Sequence, residues 1–193
     1  MKILWVVVGI LVLIALIIGG SYISSRNEMV RKNEAIKQAW SQVDVVLQRR
    51  ADLIPNLVAT VKGYAQQEQK VFGDIANARD GLLSARTPAD KIAANGQLDG
   101  ALGRLLAIVE NYPNLKSNQN FLALQDELAG TEKRIAVERR RYNEAIQDYN
   151  TYIGLFPNNI FAGWAGFRRN NDYFAASEPA RQAPKVDFSA PKQ

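Results

Sequence analysis

The chain has 193 residues, a net charge of +5 and a hydrophobic content of 47%, which is enough for one domain with a buried core. It contains no Cys and no His, which excludes disulfides, thiolate nucleophiles, the common zinc ligands and the usual general acid or base near neutral pH. The positive charge is spread along the chain without a concentrated basic region, so we expect no nucleic acid among the partners.

Residues 1–25 predict a transmembrane anchor. No charge interrupts residues 3–23, a length of about 31 Å as a helix, which is sufficient to cross a bilayer. The apolar run is too long for a signal-peptide core and no clean A-x-A cleavage site follows it, so we expect an uncleaved single-pass anchor. The candidate lipid-facing residues are Ile3, Trp5, Leu11, Leu16 and Ile18.

The charges that flank the anchor give a slight preference for orientation. Lys2 and the terminal amine lie on one side, and Arg26, Arg31 and Lys32 lie on the other. By the positive-inside rule this difference slightly favours a cytoplasmic body attached to the cell (inner) membrane. Ala15 and Gly19 form a small-xxx-small pair, a spacing that is common by chance in membrane helices.

Residues 26–156 predict a helical bundle. An apolar seam runs from Ile36 to Ile75 with spacings that alternate between four and three residues, the pattern of a buried helical stripe. Two further stripes run over residues 98–112 and 121–149. No segment alternates with period two for long enough to be a strand. The predicted fold is all-α, an elongated antiparallel bundle of three to four long helices.

Two stretches predict where helices begin and end. Thr87 is a candidate N-cap, with Pro88 at the first helical position and Asp90 in the first turn. Pro113 lies in NYPNLKSN, where a helix should stop.

The stretch QRRADLIPNL, residues 48–57, is either a reactive centre or a structural joint. Pro55 removes a helical hydrogen bond at a cost of about 3 kcal/mol. The seam stays in phase across it, so we favour a kinked continuous helix over residues 28–86 rather than a chain reversal. Arg50 occupies a seam position and needs an acidic partner, with Glu138 or another seam acid as the candidate. The candidate interaction or structural residues here are Arg49, Arg50, Asp52, Pro55 and Asn56.

Residues 157–193 form a tail that is first aromatic and then proline-rich. Trp164, Phe167 and Arg168 are candidates for contact with the membrane or a partner, and the alternative is a strap packed on the bundle. The proline-rich end is expected to be extended or disordered. Just before the tail, the repeat YNEAIQD then YNTYIGL places Tyr142 and Tyr149 on one stripe, which aromatic packing explains.

The sequence AWSQVDVVLQRRADLIPNLVATVKGYA, residues 39–65, resembles the central signature of the LemA family of bacterial membrane proteins. The likeness continues in order through residues 101–157, FAGWAGF and PKVDF. The resemblance implies an N-terminal membrane helix and a bundle usually described as four-helical, and it implies no established activity. Four helices follow most simply if residues 28–54 and 56–86 are separate, whereas the seam favours one helix.

We therefore expect a non-enzymatic scaffold or adaptor that is anchored in the lipid bilayer and binds other membrane or envelope proteins through homo-oligomers. The alternatives are a self-assembling structural protein that shapes the membrane and a carboxylate-dependent hydrolase. Carboxylate-bridged helical bundles rely on Glu-x-x-His, and the chain has no His. We expect no catalytic residue, no cofactor and no metal.

Overall fold

The computed structural model describes residues 1–174, and its regular structure in that range is entirely helical. Four long helices and two short ones follow one another there: α1 (Lys2–Lys62), α2 (Gln69–Ser84), α3 (Pro88–Val109), α4 (Pro113–Lys116), α5 (Gln119–Gly154) and α6 (Asn158–Ala165). The predicted all-α fold is confirmed. The proline-rich end of the tail, for which we predicted an extended or disordered chain, lies outside the described residues.

The first helix has two parts with different surroundings. From Lys2 to Ile23 its apolar side chains are almost all exposed, and this is the one described helix that is long and apolar enough to cross a membrane. The predicted anchor residues Ile3, Trp5, Leu11, Leu16 and Ile18 all lie on this exposed part. From Met29 onwards α1 buries the predicted seam, and Ile36, Val43, Leu47, Arg50, Ile54, Leu57 and Val61 are all buried.

Pro55 lies inside α1, and the helix continues through it as predicted. A proline at this position cannot donate to the carbonyl oxygen of Ala51, which is completely buried. Nε of Arg79, on α2, donates to that oxygen over 2.8 Å. The Arg79 side chain thus replaces the missing main-chain donor. The Ala51 carbonyl, left free by Pro55, becomes a point of contact between α1 and α2.

The prediction of one helix over residues 28–86 is wrong. α1 ends at Lys62, and the chain reverses through residues 63–68 before α2 begins. Tyr64, predicted in the seam, is exposed, and on α2 Phe72 is buried in place of Val71. The apolar spacing stays nearly in phase because α2 has its own buried stripe, in which Ile75, Ala78 and Leu82 continue the spacing of α1.

Side-chain contacts define an antiparallel course. Arg79 on α2 meets Ala51, so α2 runs back along α1, and Lys91 near the start of α3 pairs with Asp44. Asp148 near the end of α5 pairs with Lys32 over 2.6 Å. The chain therefore runs out, back, out and back, and the end of α5 returns to the level where the apolar part of α1 ends. This is the four-helix arrangement that the family resemblance implied.

The predicted helix boundaries after residue 86 are correct. The Thr87 hydroxyl accepts a hydrogen bond from the amide of Asp90 over 3.1 Å, and Pro88 is the first residue of α3. α3 ends at Val109, and Pro113 opens the short α4. Asn118 then caps α5 by accepting from the amide of Phe121.

The four long helices pack as two pairs. α5 packs along the part of α1 that begins at Met29, and α2 and α3 form the second close pair. The two pairs meet mainly through α1 with α2, while α3 and α5 make almost no close contact. One side of the bundle therefore has an opening between α3 and α5, with α1 as its floor.

Beyond α5 the chain forms α6 and then an extended strap, residues 166–174. Gly166 caps the end of α6, and its φ of 78° is in the left-handed region that glycine adopts without strain. The strap runs back along the bundle to Phe174, which is buried against Trp40 and Tyr142 with ring centroids about 6 Å apart. The predicted strap packed on the bundle is present over these residues.

Candidate functional site

Arg50 lies at the junction of α1, α3 and α5. Its Nη1 is 2.6 Å from Oδ1 of Asp99 on α3 and 3.0 Å from Oε2 of Glu132 on α5, and it donates to Oδ1 of Asn95 over 3.0 Å. The expectation that this seam arginine would be paired is correct, but its partner is not Glu138. Glu138 pairs instead with Arg141 on its own helix.

The cluster around Arg50 has an excess of negative charge. The guanidinium is buried, whereas the side chains of Asp99 and Glu132 are 41% and 47% exposed and keep part of their hydration. One buried cation therefore faces two half-hydrated carboxylates. Nε of Arg50 is buried and has no hydrogen-bond partner within residues 1–174, and Oε2 of Glu132, which faces the guanidinium, is also buried there without a hydrogen bond. A group with hydrogen-bond acceptors or a further cation would be compatible with this cluster.

An apolar groove begins at this cluster and follows the opening between α3 and α5. Its cavity has a volume of about 300 Å³. Asp99 and Glu132 lie at its charged end, and the apolar lining comes from Leu57, Leu102, Gly103, Leu106, Leu128 and Ala129. Leu106 is 42% exposed, and Leu128, a predicted seam residue, is only partly buried. We call this feature the α3–α5 groove.

The groove has the lining of a binding site. Apolar walls with a few polar groups at one end are typical of surfaces that receive a helix or a small amphipathic molecule. Within the described residues, no group of three or more acidic side chains is placed to hold a metal ion. The arrangement therefore supports recognition through an apolar face and one charged contact.

The other candidates from residues 48–57 do not converge on Arg50. Arg49 is exposed and pairs with Glu127 on α5 over 2.8 Å. Asp52 is exposed and accepts a hydrogen bond from Gln48 over 2.9 Å, one turn away. Pro55 and Asn56 are exposed on the outer face of α1. Of these candidates only Arg50 is buried, and Pro55 affects the interior only through the Ala51 carbonyl.

The aromatic candidates lie at the membrane end of the bundle. Trp164 is 70% exposed, and its ring lies 6.4 Å from that of Tyr22 on α1. Phe167 packs against the core at its edge. The Arg168 side chain is exposed, while its carbonyl oxygen accepts a hydrogen bond from the Tyr149 hydroxyl over 2.9 Å.

Two asparagines that we did not predict as contact residues hold the strap. The side-chain amide of Asn150 donates to the main-chain carbonyl of Asn170 and accepts from the main-chain amide of Asn170. The side-chain amide of Asn143 likewise donates to the carbonyl of Phe174 and accepts from the amide of Phe174. Next to them, burial raises the pKa of Tyr142 to about 12, and the charge of Asp172 adds to the shift. The sequence signal was present in the seven-residue repeat that places an asparagine after each tyrosine.

These features define a class of protein: an antiparallel four-helix bundle that follows a long, exposed apolar helix and whose end returns to the base of that helix. The sequence model of the LemA family matches residues 39–188. The chain belongs to the LemA family.

The chain is also similar to individual named proteins. It is 30% identical over 186 residues to magnetosome protein MamQ 2 of Paramagnetospirillum magneticum, with 83% of this chain and 68% of that protein covered. It is 29% identical to magnetosome protein MamQ of Magnetospirillum gryphiswaldense with the same coverage. Protein LemA of Metamycoplasma hominis is 26% identical over 144 residues, covering 73% of this chain and 65% of that protein. None of these names describes an enzymatic activity. With the apolar part of α1, the similarity indicates a membrane-associated protein.

Proposed function

We propose that the protein is a non-enzymatic, membrane-anchored adaptor that binds a helix of another membrane or envelope protein in the α3–α5 groove. The observation that carries this proposal is the groove itself, an opening in an otherwise packed bundle. Its charged end has one cation and two carboxylates, so it favours a partner helix with an apolar face and a Lys or Arg at one end.

The location of the groove suits such a partner. Arg50 lies about 25 residues beyond Ser25, where the uncharged part of α1 ends, so the charged end of the groove stands roughly 38 Å above the proposed membrane surface. A partner anchored in the same bilayer can reach this height with a helix or a linker of moderate length. A homo-oligomer of this chain would place several such grooves side by side and strengthen binding through multivalency.

A photo-crosslinking amino acid in the groove tests the proposal in cells. We expect a probe at Leu106, in the groove, to give a discrete crosslinked product with a different membrane or envelope protein. A probe at Leu83, on α2 and similarly exposed, should not give it. A product that contains only a second copy of the chain would favour the self-assembling structural alternative, and no product at Leu106 would contradict the groove as a docking site.

We further propose that the chain crosses the cell (inner) membrane once and that the bundle faces the cytoplasm. Arg26, Arg31 and Lys32 follow the anchor on the side of the bundle, which is the arrangement that the positive-inside rule favours. Since the chain has no Cys, Ser117→Cys provides a single thiol at the far end of the bundle. It should react with a membrane-impermeant maleimide only after the cells are opened, and labelling of intact spheroplasts would place the bundle outside.

A further inference from the structure

The residues around α6 expose an unusual number of large apolar side chains for the end of a bundle. Leu155 is 56% exposed, Phe156 80%, Ile160 42% and Trp164 70%. On the opposite side of the same helix, Phe161 and Ala162 are buried. α6 thus has an inner face that packs on the protein and an outer apolar face that no described residue covers. We call residues 155–164 the foot.

The foot is attached to the last turns of the apolar part of α1. The Ser25 hydroxyl donates to Oδ1 of Asn158 over 2.9 Å, and the rings of Tyr22 and Phe161 meet edge to face at 5.6 Å. The Trp164 side chain reaches further along α1 and lines a shallow recess with Ala15, Ile18 and Gly19. The two small residues of the anchor therefore leave room beside the Trp164 ring.

The charge pattern on both chain segments agrees with a membrane location for the foot. No charged residue occurs between Tyr149 and Phe167, just as none occurs between Ile3 and Ser25. The nearest charges on the two segments are Arg26, Asp148 and Arg168. The structure therefore brings the uncharged segments 3–25 and 149–167 together near Ser25. Charged residues begin on each segment just beyond this contact.

We propose that the foot inserts into the leaflet on the bundle side of the membrane that α1 crosses, with the membrane surface near Ser25. The exposed face of the foot is continuous with the lipid-facing surface of α1 at Ile18 and Gly19. Gly19 lies six residues before Ser25, so Trp164 reaches about 9 Å below the proposed surface, a depth at which aromatic side chains are enriched. The foot makes a second attachment to the bilayer and restricts the tilt of the bundle relative to the anchor. This inference rests on the proposal that α1 spans the membrane.

Tryptophan quenching by brominated lipids tests the inference, because the chain has three Trp residues at three informative levels. The full-length chain is reconstituted in liposomes as three variants that each keep one tryptophan: Trp164 alone, Trp5 alone and Trp40 alone, with the other two replaced by Phe. Trp40 lies fifteen residues beyond Ser25, roughly 22 Å above the surface, and is the negative control. Trp5 reports on the anchor itself.

We expect Trp164 to lose most of its fluorescence with bromine near the headgroup end of the acyl chain and less with bromine near the bilayer centre, while Trp40 keeps its fluorescence. Quenching of Trp5 together with Trp164 fluorescence as resistant as that of Trp40 would overturn the foot and leave the anchor intact. Resistance of Trp5 would overturn the anchor and the foot together.

A second reporter keeps the test valid if Trp40→Phe loosens the bundle. Ile160→Cys, labelled with the fluorophore NBD, should shift its emission to the blue on reconstitution. The same label on Asn114→Cys, at the far end of the bundle, should not shift. Equal emission from the two labelled positions would overturn the foot.

Discussion

At the scale of single residues, Pro55 removes a helical hydrogen bond, and a contact from another helix replaces it. A proline inside a helix removes a main-chain donor, and here it leaves the buried carbonyl of Ala51 without its helical partner. Arg79 donates to that oxygen from α2. A buried carbonyl without a partner costs about 1 to 3 kcal/mol, so the contact fixes where α2 docks on α1.

The two residues should therefore be energetically coupled. We expect Arg79→Met to lower the free energy of unfolding by about 1 to 3 kcal/mol because the Ala51 carbonyl loses its donor. In a Pro55→Ala background the new main-chain amide can donate to Ala51, so Arg79→Met should cost at least about 1 kcal/mol less. Urea unfolding of the full chain in mild detergent, followed by circular dichroism, measures the cycle.

Arg104→Met is the control for this cycle. Arg104 pairs with Asp74 between α3 and α2 over 3.2 Å and does not contact the Ala51 carbonyl. Its effect should be the same whether Pro55 is present or replaced by alanine. Additive effects of Pro55→Ala and Arg79→Met would contradict the explanation of how α1 tolerates its proline.

In the cluster around Arg50 the cation is more deeply buried than the two carboxylates. This difference determines which substitution lowers the free energy of unfolding more. Arg50 is buried, whereas Asp99 and Glu132 are nearly half exposed. Without the arginine, water can still reach the exposed parts of both carboxylate side chains, although Oε2 of Glu132 is buried. Without the carboxylates, the guanidinium is left as a buried charge with no counter-ion, which is the more costly state.

Substitutions on the two sides of the cluster should therefore differ in effect. We expect Arg50→Met to lower the free energy of unfolding by about 1 to 2 kcal/mol, and Asp99→Asn with Glu132→Gln to lower it by about 3 to 5 kcal/mol. Arg49→Met, which breaks the exposed pair with Glu127, should change it by less than about 1 kcal/mol. A larger loss for Arg50→Met than for the double amide variant would show that the carboxylates, and not the arginine, need the pairing.

At the scale of elements, α5 holds the strap through side-chain amides that hydrogen-bond to its main chain, as a neighbouring strand would. Asn143 and Asn150 lie seven residues apart, two turns of the helix, and each offers one amide to both main-chain groups of a strap residue. The aromatic ring of Phe174 then closes over Trp40 and Tyr142. The strap takes these hydrogen bonds from α5, and no strand lies beside it among residues 1–174.

Removal of both asparagine amides should release the strap. We expect Asn143→Ala with Asn150→Ala to speed tryptic cleavage after Arg168 and Arg169 by at least about tenfold, because loss of these buried hydrogen bonds raises the population of the open state. The four long helices should stay folded. Asn114→Ala, at an exposed position on α4, is the matched control, and equal cleavage rates in the two proteins would show that the strap is held by its aromatic residues alone.

The sequence predicts the elements better than their ends. Buried stripes are legible in α1, α3 and α5 because the 3.6-residue period is imposed by one core, and Thr87 and Pro88 mark a helix start by their own chemistry. The reversal after Lys62 was missed because the buried residues Ile75, Ala78 and Leu82 of α2 continue the apolar spacing of α1 across it. The partners of Arg50 were unpredictable because Asp99 and Glu132 are brought to it by the packing of three helices.

At the scale of the whole molecule, the four antiparallel passes place the α3–α5 groove on the bundle and the foot at its base. The groove exists because α1 packs closely with α5, and α2 with α3, while α3 and α5 remain apart. We propose that this opening is the surface through which the protein binds its partner. Gly103 lines it, and a Cβ atom at this position would meet no atom within 4 Å. A side chain added at this position can therefore start into the groove without a clash at its Cβ atom.

Crosslinking from Gln125, another groove residue, in cells that express Gly103→Leu or Gly73→Leu tests this claim most directly. Both substitutions replace an exposed helical glycine with no atom within 4 Å of the new Cβ, and each should raise helix stability by about 0.8 kcal/mol. Only Gly103→Leu fills the groove. We expect the crosslinked partner to be retained with Gly73→Leu and lost with Gly103→Leu, whereas equal crosslinking in the two variants would show that the partner does not bind in the groove.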